Sequence, residues 1–123
     1  VKVLVIDDED DIRQVARLAL ARVGGMEVTD TSHSEDAVEI AVREKPDVVL
    51  LDVMMPGRDG PATLAALRAD ERTAALPVVF LTAKAMPTEI QRLKSLGATG
   101  VLTKPFDPMT LAAALRATLG AGA

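Results

Sequence analysis

The sequence predicts an α/β protein built on an open, parallel sheet with helices on both faces, and three observations carry that expectation. Short apolar runs alternate with helix-period stretches five times along the chain. The runs are continuously apolar, as in strands buried on both faces of a parallel sheet. The only Asn-Gly or Asp-Gly pair, Asp59-Gly60, precedes a helix rather than joining two strands, so hairpins are not expected and right-handed helical crossovers join the strands.

The first strand is placed at residues 2–6, where Val3-Leu4-Val5-Ile6 closes on Asp7-Asp8. A helix over 10–23 follows, with Ile12, Val15, Ala16, Ala19 and Val23 as its apolar stripe and Gly24-Gly25 as its stop. The second strand covers 26–30, and a Thr-Ser-His-Ser loop leads to a helix over 34–44 with Ser32 or Ser34 as N-cap. His33, the only histidine, reads as a solvated loop residue. The third strand, 47–51, closes on Asp52, and Gly60-Pro61 opens a helix reaching 69. The fourth strand, 77–82, closes on Thr82; Met86-Pro87 and Gly97 bracket a helix over 87–96. The fifth strand, 100–103, is followed by Lys104. The last helix spans 108–119, with Asp107 as N-cap, Pro108 at its first position and Leu111, Leu115 and Leu119 along one side. Residues 1–119 read as one domain, and 120–123 as a flexible tail or the start of a linker.

Composition narrows the function classes. Of 123 residues, 49% are hydrophobic and 26% charged, which suits one globular domain. The formal net charge of −4 argues against direct nucleic-acid or anionic-membrane binding. No apolar segment approaches the roughly 20 residues that span a bilayer. The absence of cysteine excludes disulfides, thiolate catalysis and the usual structural zinc, and the whole points to a cytoplasmic protein.

The chemically capable residues sit where ligand chemistry gathers in such sheets, at the carboxyl ends of strands. Asp7 and Asp8 are trailed by Glu9, Asp10 and Asp11. Helix capping accounts for one or two of these acids; a run of five asks for a cation, and hard oxygen ligands suit Mg²⁺. Asp52 taken alone is a turn residue, and Thr82 and Lys104 taken singly are structural or solvated. Together they form a phosphoryl-transfer set: a carboxylate nucleophile beside a metal, with an ammonium and a hydroxyl for the remaining phosphoryl oxygens.

The segments VLVIDDED, VVLLDVMMPGRDG, PVVFLTAKA and LGATGVLTKPF, in this order and spacing, resemble the receiver domain of two-component response regulators. The likeness runs from Val1 to about Leu119. It implies a flavodoxin-like, doubly wound (βα)5 fold with sheet order 2-1-3-4-5. It implies Asp52 as phosphoacceptor and Thr82 and Lys104 as phosphoryl contacts. Mg²⁺, with Mn²⁺ as a substitute, would be held by Asp8 directly, by Asp7 through water or as a second ligand, and by Asp52 and the Met54 main-chain carbonyl. The Lys104-Pro105 peptide would be cis, and Met54 and Lys84 would flank the path of the hydrolytic water. The resemblance further implies a signalling domain rather than a turnover enzyme. Its donor would be a sensor histidine kinase or phosphotransfer protein. Its output would pass through the fourth helix, fifth strand and fifth helix to an effector domain or target protein, a face that also admits homodimerisation. One position departs from the pattern: Val101 stands where many members carry an aromatic switch residue. Two other readings use parts of the same set. A phosphatase of the haloacid dehalogenase type needs an acid two residues after Asp52, where Met54 stands, and a phosphate-independent binding module would not need the complete set.

Overall fold

The computed structural model describes residues 1–121. Its five strands are β1 (Lys2–Ile6), β2 (Glu27–Thr31), β3 (Val48–Asp52), β4 (Val78–Thr82) and β5 (Gly100–Thr103). All pair in parallel, in the order β2-β1-β3-β4-β5. The helices are α1 (Asp10–Leu18), α2 (Ala37–Glu44), α3 (Gly60–Ala69), α4 (Pro87–Ser95) and α5 (Leu111–Ala121). The doubly wound, flavodoxin-like architecture and its strand order are therefore as expected. Residues 122–123 of the expected tail lie outside the described residues, and Gly120 and Ala121 belong to α5.

Pleating sorts the central strands onto two cores. Val3, Val5, Val48, Leu50, Val79 and Leu81 face α1 and α5 and pack with Ala16, Leu20, Leu111 and Leu115. Leu4, Ile6, Val49, Leu51, Val78 and Phe80 face the other way, against Ala37, Ala41, Leu64, Leu67 and Leu93. Strands covered on both sides need apolar residues at every position, which is why β3 and β4 are buried throughout. At the sheet edge, β2 is only partly covered and tolerates the polar run Glu27-Val28-Thr29-Asp30-Thr31.

Three local expectations are corrected. The first helix is not regular to residue 23. Ala19–Val23 form a π-helical turn in which the Gly24 N–H donates to the Ala19 carbonyl at 3.2 Å. The inserted residue shifts the inward register past Val23, which is exposed, to Gly24. There a Cβ would lie 2.5 Å from Ala112 Cβ, so only glycine lets α1 and α5 approach. The inward face is Ile12, Ala16, Ala19 and Leu20, with Val15 exposed on its flank.

Neither Ser32 nor Ser34 caps α2. Ser34–Asp36 form a 3-10 turn without a side-chain cap, and the buried Ser34 hydroxyl donates to the Arg58 carbonyl, tying two loops together. The start of α5 comes later than residue 108. Asp107 accepts from the Met109 N–H at 2.8 Å and caps a turn that only then feeds the helix. Gly60-Pro61 does open α3, and the structure adds its N-cap, Asp59, which accepts from the Ala62 N–H at 2.9 Å.

Candidate functional site

Register alone brings the polar residues to one edge. Ile6 pairs with Leu51, so Asp7 and Asp52 stand level on neighbouring strands. Thr82 pairs with Thr103, so Lys104 emerges one step further on. Main-chain bonds extend the ladder past the strand ends: the Asp7 N–H donates to Thr31 at 3.2 Å and the Lys104 N–H to Thr82 at 2.7 Å.

Asp7, Asp8, Glu9 and Asp52 each offer a carboxylate oxygen, and these four atoms lie within 4.8 Å of one another. Among them reaches the Lys104 ammonium, 2.9 Å from Asp7 Oδ2, 3.2 Å from Asp52 Oδ1 and 3.5 Å from Glu9 Oε1. The structure thus unites Asp7, Asp8, Asp52 and Lys104 as expected from the sequence. It adds Glu9, whose charge carries no separate signal within a run of five acids. The Lys104-Pro105 peptide is cis. Thr82 is buried at the end of β4, where its hydroxyl accepts from the Lys84 N–H at 3.0 Å. Met54 follows β3 with its side chain exposed to solvent.

The loop after β3 is closed tightly over this edge. The Gly60 N–H donates to the Val53 carbonyl at 2.9 Å, and a Cβ on Gly60 would lie 2.6 Å from the Asp52 carbonyl oxygen. Any larger residue would push the loop off the phosphoacceptor candidate.

Electrostatics mark Asp52 as unusual. Burial first, then the neighbouring Asp7 charge, push its carboxyl up to about 6, against the opposing pull of Lys104. Burial alone would pull the Lys104 ammonium down, but its contacts with Asp7 and Asp52 outweigh that and raise it. Four carboxylates therefore face one ammonium. Asp7 Oδ2 is buried, and its charge is met within the cluster by the Lys104 ammonium at 2.9 Å. Four carboxylate oxygens gathered within 4.8 Å of one another, with a single ammonium to offset their charge, are the hard donor set that a small divalent cation takes. The residues present fit Mg²⁺ or Mn²⁺.

Fold and site together define a class: an open parallel α/β domain whose carboxyl edge carries an acidic, cation-competent pocket closed by a lysine. The chain belongs to the response regulator receiver domain family, which matches residues 3–116, and it is a receiver domain of two-component signalling. It is 39% identical over 118 residues to the phosphate regulon transcriptional regulatory protein PhoB of Pseudomonas aeruginosa, covering 95% of this chain and 51% of that protein. It is also 39% identical over 117 residues to the transcriptional regulatory protein CseB of Streptomyces coelicolor, covering 95% of this chain and 48% of that one. The chain thus spans about half the length of these curated relatives. Among solved structures, the chemotaxis response regulator CheY4 of Vibrio cholerae superposes with a TM-score of 0.86 at 35% identity, covering 95% of this chain and 97% of that one. Among the described residues, no helix is long and apolar enough to cross a membrane.

Proposed function

We propose that this domain is a phosphorylation-driven switch in which Asp52 accepts a phosphoryl group from a histidine kinase or phosphotransfer protein. The observation that carries this reading is the Asp52 carboxylate lying within reach of both the acidic cluster and the Lys104 ammonium. An Asp52 oxygen attacks phosphorus, an O–P bond forms as the donor's N–P bond breaks, and the electron pair leaves with the imidazole. The product is an aspartyl phosphate and a free histidine on the donor. Mg²⁺, or Mn²⁺ in its place, supplies charge neutralisation at the phosphoryl oxygens.

Asp7, Asp8 and Asp52, with the Met54 main-chain carbonyl, are the ligands we assign to the cation. Lys104 already sits at Asp52 and needs only a small displacement to meet a transferred phosphoryl oxygen. Thr82, at the adjacent strand end, is the hydroxyl assigned to another. Beyond this self-directed transfer and its hydrolysis, the domain needs no further catalysis. Its output passes through α4, β5 and α5 to an effector domain or target protein in the cytoplasm, and the same face is the one assigned to any homodimer.

The test is intact-mass measurement after incubation with acetyl phosphate and Mg²⁺. One phosphoryl group should be added, and Asp52→Asn should add none. Full labelling of that variant, or of the wild type in excess chelator, refutes the assignment.

A further inference from the structure

Arg13, on the first turns of α1, uses its guanidinium on three separate elements of the acidic loop's surroundings. Nη1 donates to the main-chain carbonyl of Asp7 at 2.9 Å, Nε to Asp30 Oδ2 on β2 at 3.1 Å, and Nη2 to Asp10 Oδ1. Asp30 is itself fixed, because Arg17 Nη1 holds its other oxygen at 2.6 Å. The side chain of Arg13 is only 16% exposed, far less than that of Arg17.

These contacts complete a set of restraints on Asp7. Its N–H donates to Thr31, its Oδ1 accepts from the Glu9 N–H at 2.9 Å, and its carbonyl accepts from Arg13. That leaves Oδ2 as the oxygen turned to the carboxylate cluster, where the Lys104 ammonium meets it at 2.9 Å.

We propose that Arg13 is a positioning residue for the metal pocket: by clamping the Asp7 carbonyl to Asp30 on β2, it aims Asp7 Oδ2 at the cation. This rests on the metal-dependent reading above. Partners that orient a metal ligand contribute strongly to affinity although they never touch the ion. The planar fork matters, since three nitrogens must reach three differently placed oxygens at once, which a lysine ammonium on a flexible stem cannot do.

Charge and geometry predict opposite signs, so one measurement separates them. A guanidinium near a cation site repels the cation, and removing it would by Coulomb's law tighten binding. Loss of positioning would weaken it. Mg²⁺ titration of the metal-free protein by calorimetry is the experiment, on wild type, Arg13→Gln and Arg13→Lys, with circular dichroism as the folding control. Arg13→Gln should raise the dissociation constant by about tenfold. Arg13→Lys, which keeps the charge, should not restore it. Unchanged or tighter binding by Arg13→Gln, or wild-type binding by Arg13→Lys, overturns the proposal. If Arg13→Gln does not fold, Arg13→Lys decides alone. A wild type that binds Mg²⁺ without becoming labelled refutes the phosphoacceptor reading, while the affinity comparison still decides this one. A wild type that binds no Mg²⁺ refutes both.

Discussion

Replacing Asp52 by asparagine should stabilise the metal-free protein, and by an amount that depends on pH in a defined way. The folded carboxyl ionises at about 6 instead of 3.8, for reasons of burial and of the Asp7 charge. That displacement corresponds to about 3 kcal/mol held against folding once the group is ionised, with the favourable pull of Lys104 already counted in it. Solvent at the open strand edge screens part of this, so about 1–3 kcal/mol is the expected range. Below pH 3.8 the carboxyl is protonated in both folded and unfolded chains and the two variants should be equally stable. As pH rises towards about 6, the unfolded carboxylate ionises while the folded one stays protonated, and the wild type loses stability relative to Asp52→Asn. Above about 6 the difference reaches its plateau. Thermal unfolding in chelator across this range should show the variant melting about 4–12 °C higher at pH 8 and merging with wild type at the acid end. Equal melting temperatures at pH 8, or a less stable variant there, would refute the reasoning.

Other consequences follow from the same geometry. Millimolar Mg²⁺ should raise the wild-type melting temperature, by about 2.7 kcal/mol of stability at a hundredfold excess over the dissociation constant, and Asp8→Ala should abolish that increment; an unchanged response removes Asp8 from the ligand set. Asp59→Ala removes the side-chain cap of α3 and should cost about 1 kcal/mol in urea unfolding, with no cost meaning that the Ala62 N–H finds water instead. Beryllofluoride should shift amide resonances in residues 82–88 and the start of α4 while leaving Val101 nearly unchanged, because no large ring stands at that position. Large, uniform shifts across α4, β5 and α5 would show that a valine transmits the signal as well as a ring.

Legibility differed between strands and their connections for a physical reason. Unbroken apolar runs such as Val48-Val49-Leu50-Leu51 can be satisfied only where both faces are covered, so the sheet and its parallel sense were readable from local chemistry alone. Once the strands were placed, Asp7, Asp8, Asp52, Thr82 and Lys104 necessarily fell at one edge. Tertiary contact decided the rest. The end of the first helix depends on how closely α5 approaches Gly24, and nothing within residues 10–25 reports Ala112. Ser34 looked like a helix cap because its sequence neighbours suggest one, whereas its partner, Arg58, lies on another loop. Within the acidic run, place at the strand end and family resemblance pick out Asp7 and Asp8, but the different surroundings of the five carboxylates are not legible in sequence. Burial of Asp7, the reach of Lys104 and the clamp of Arg13 on the Asp7 carbonyl separate them, and each of these arises only when β1, β2, β3 and β5 are brought side by side.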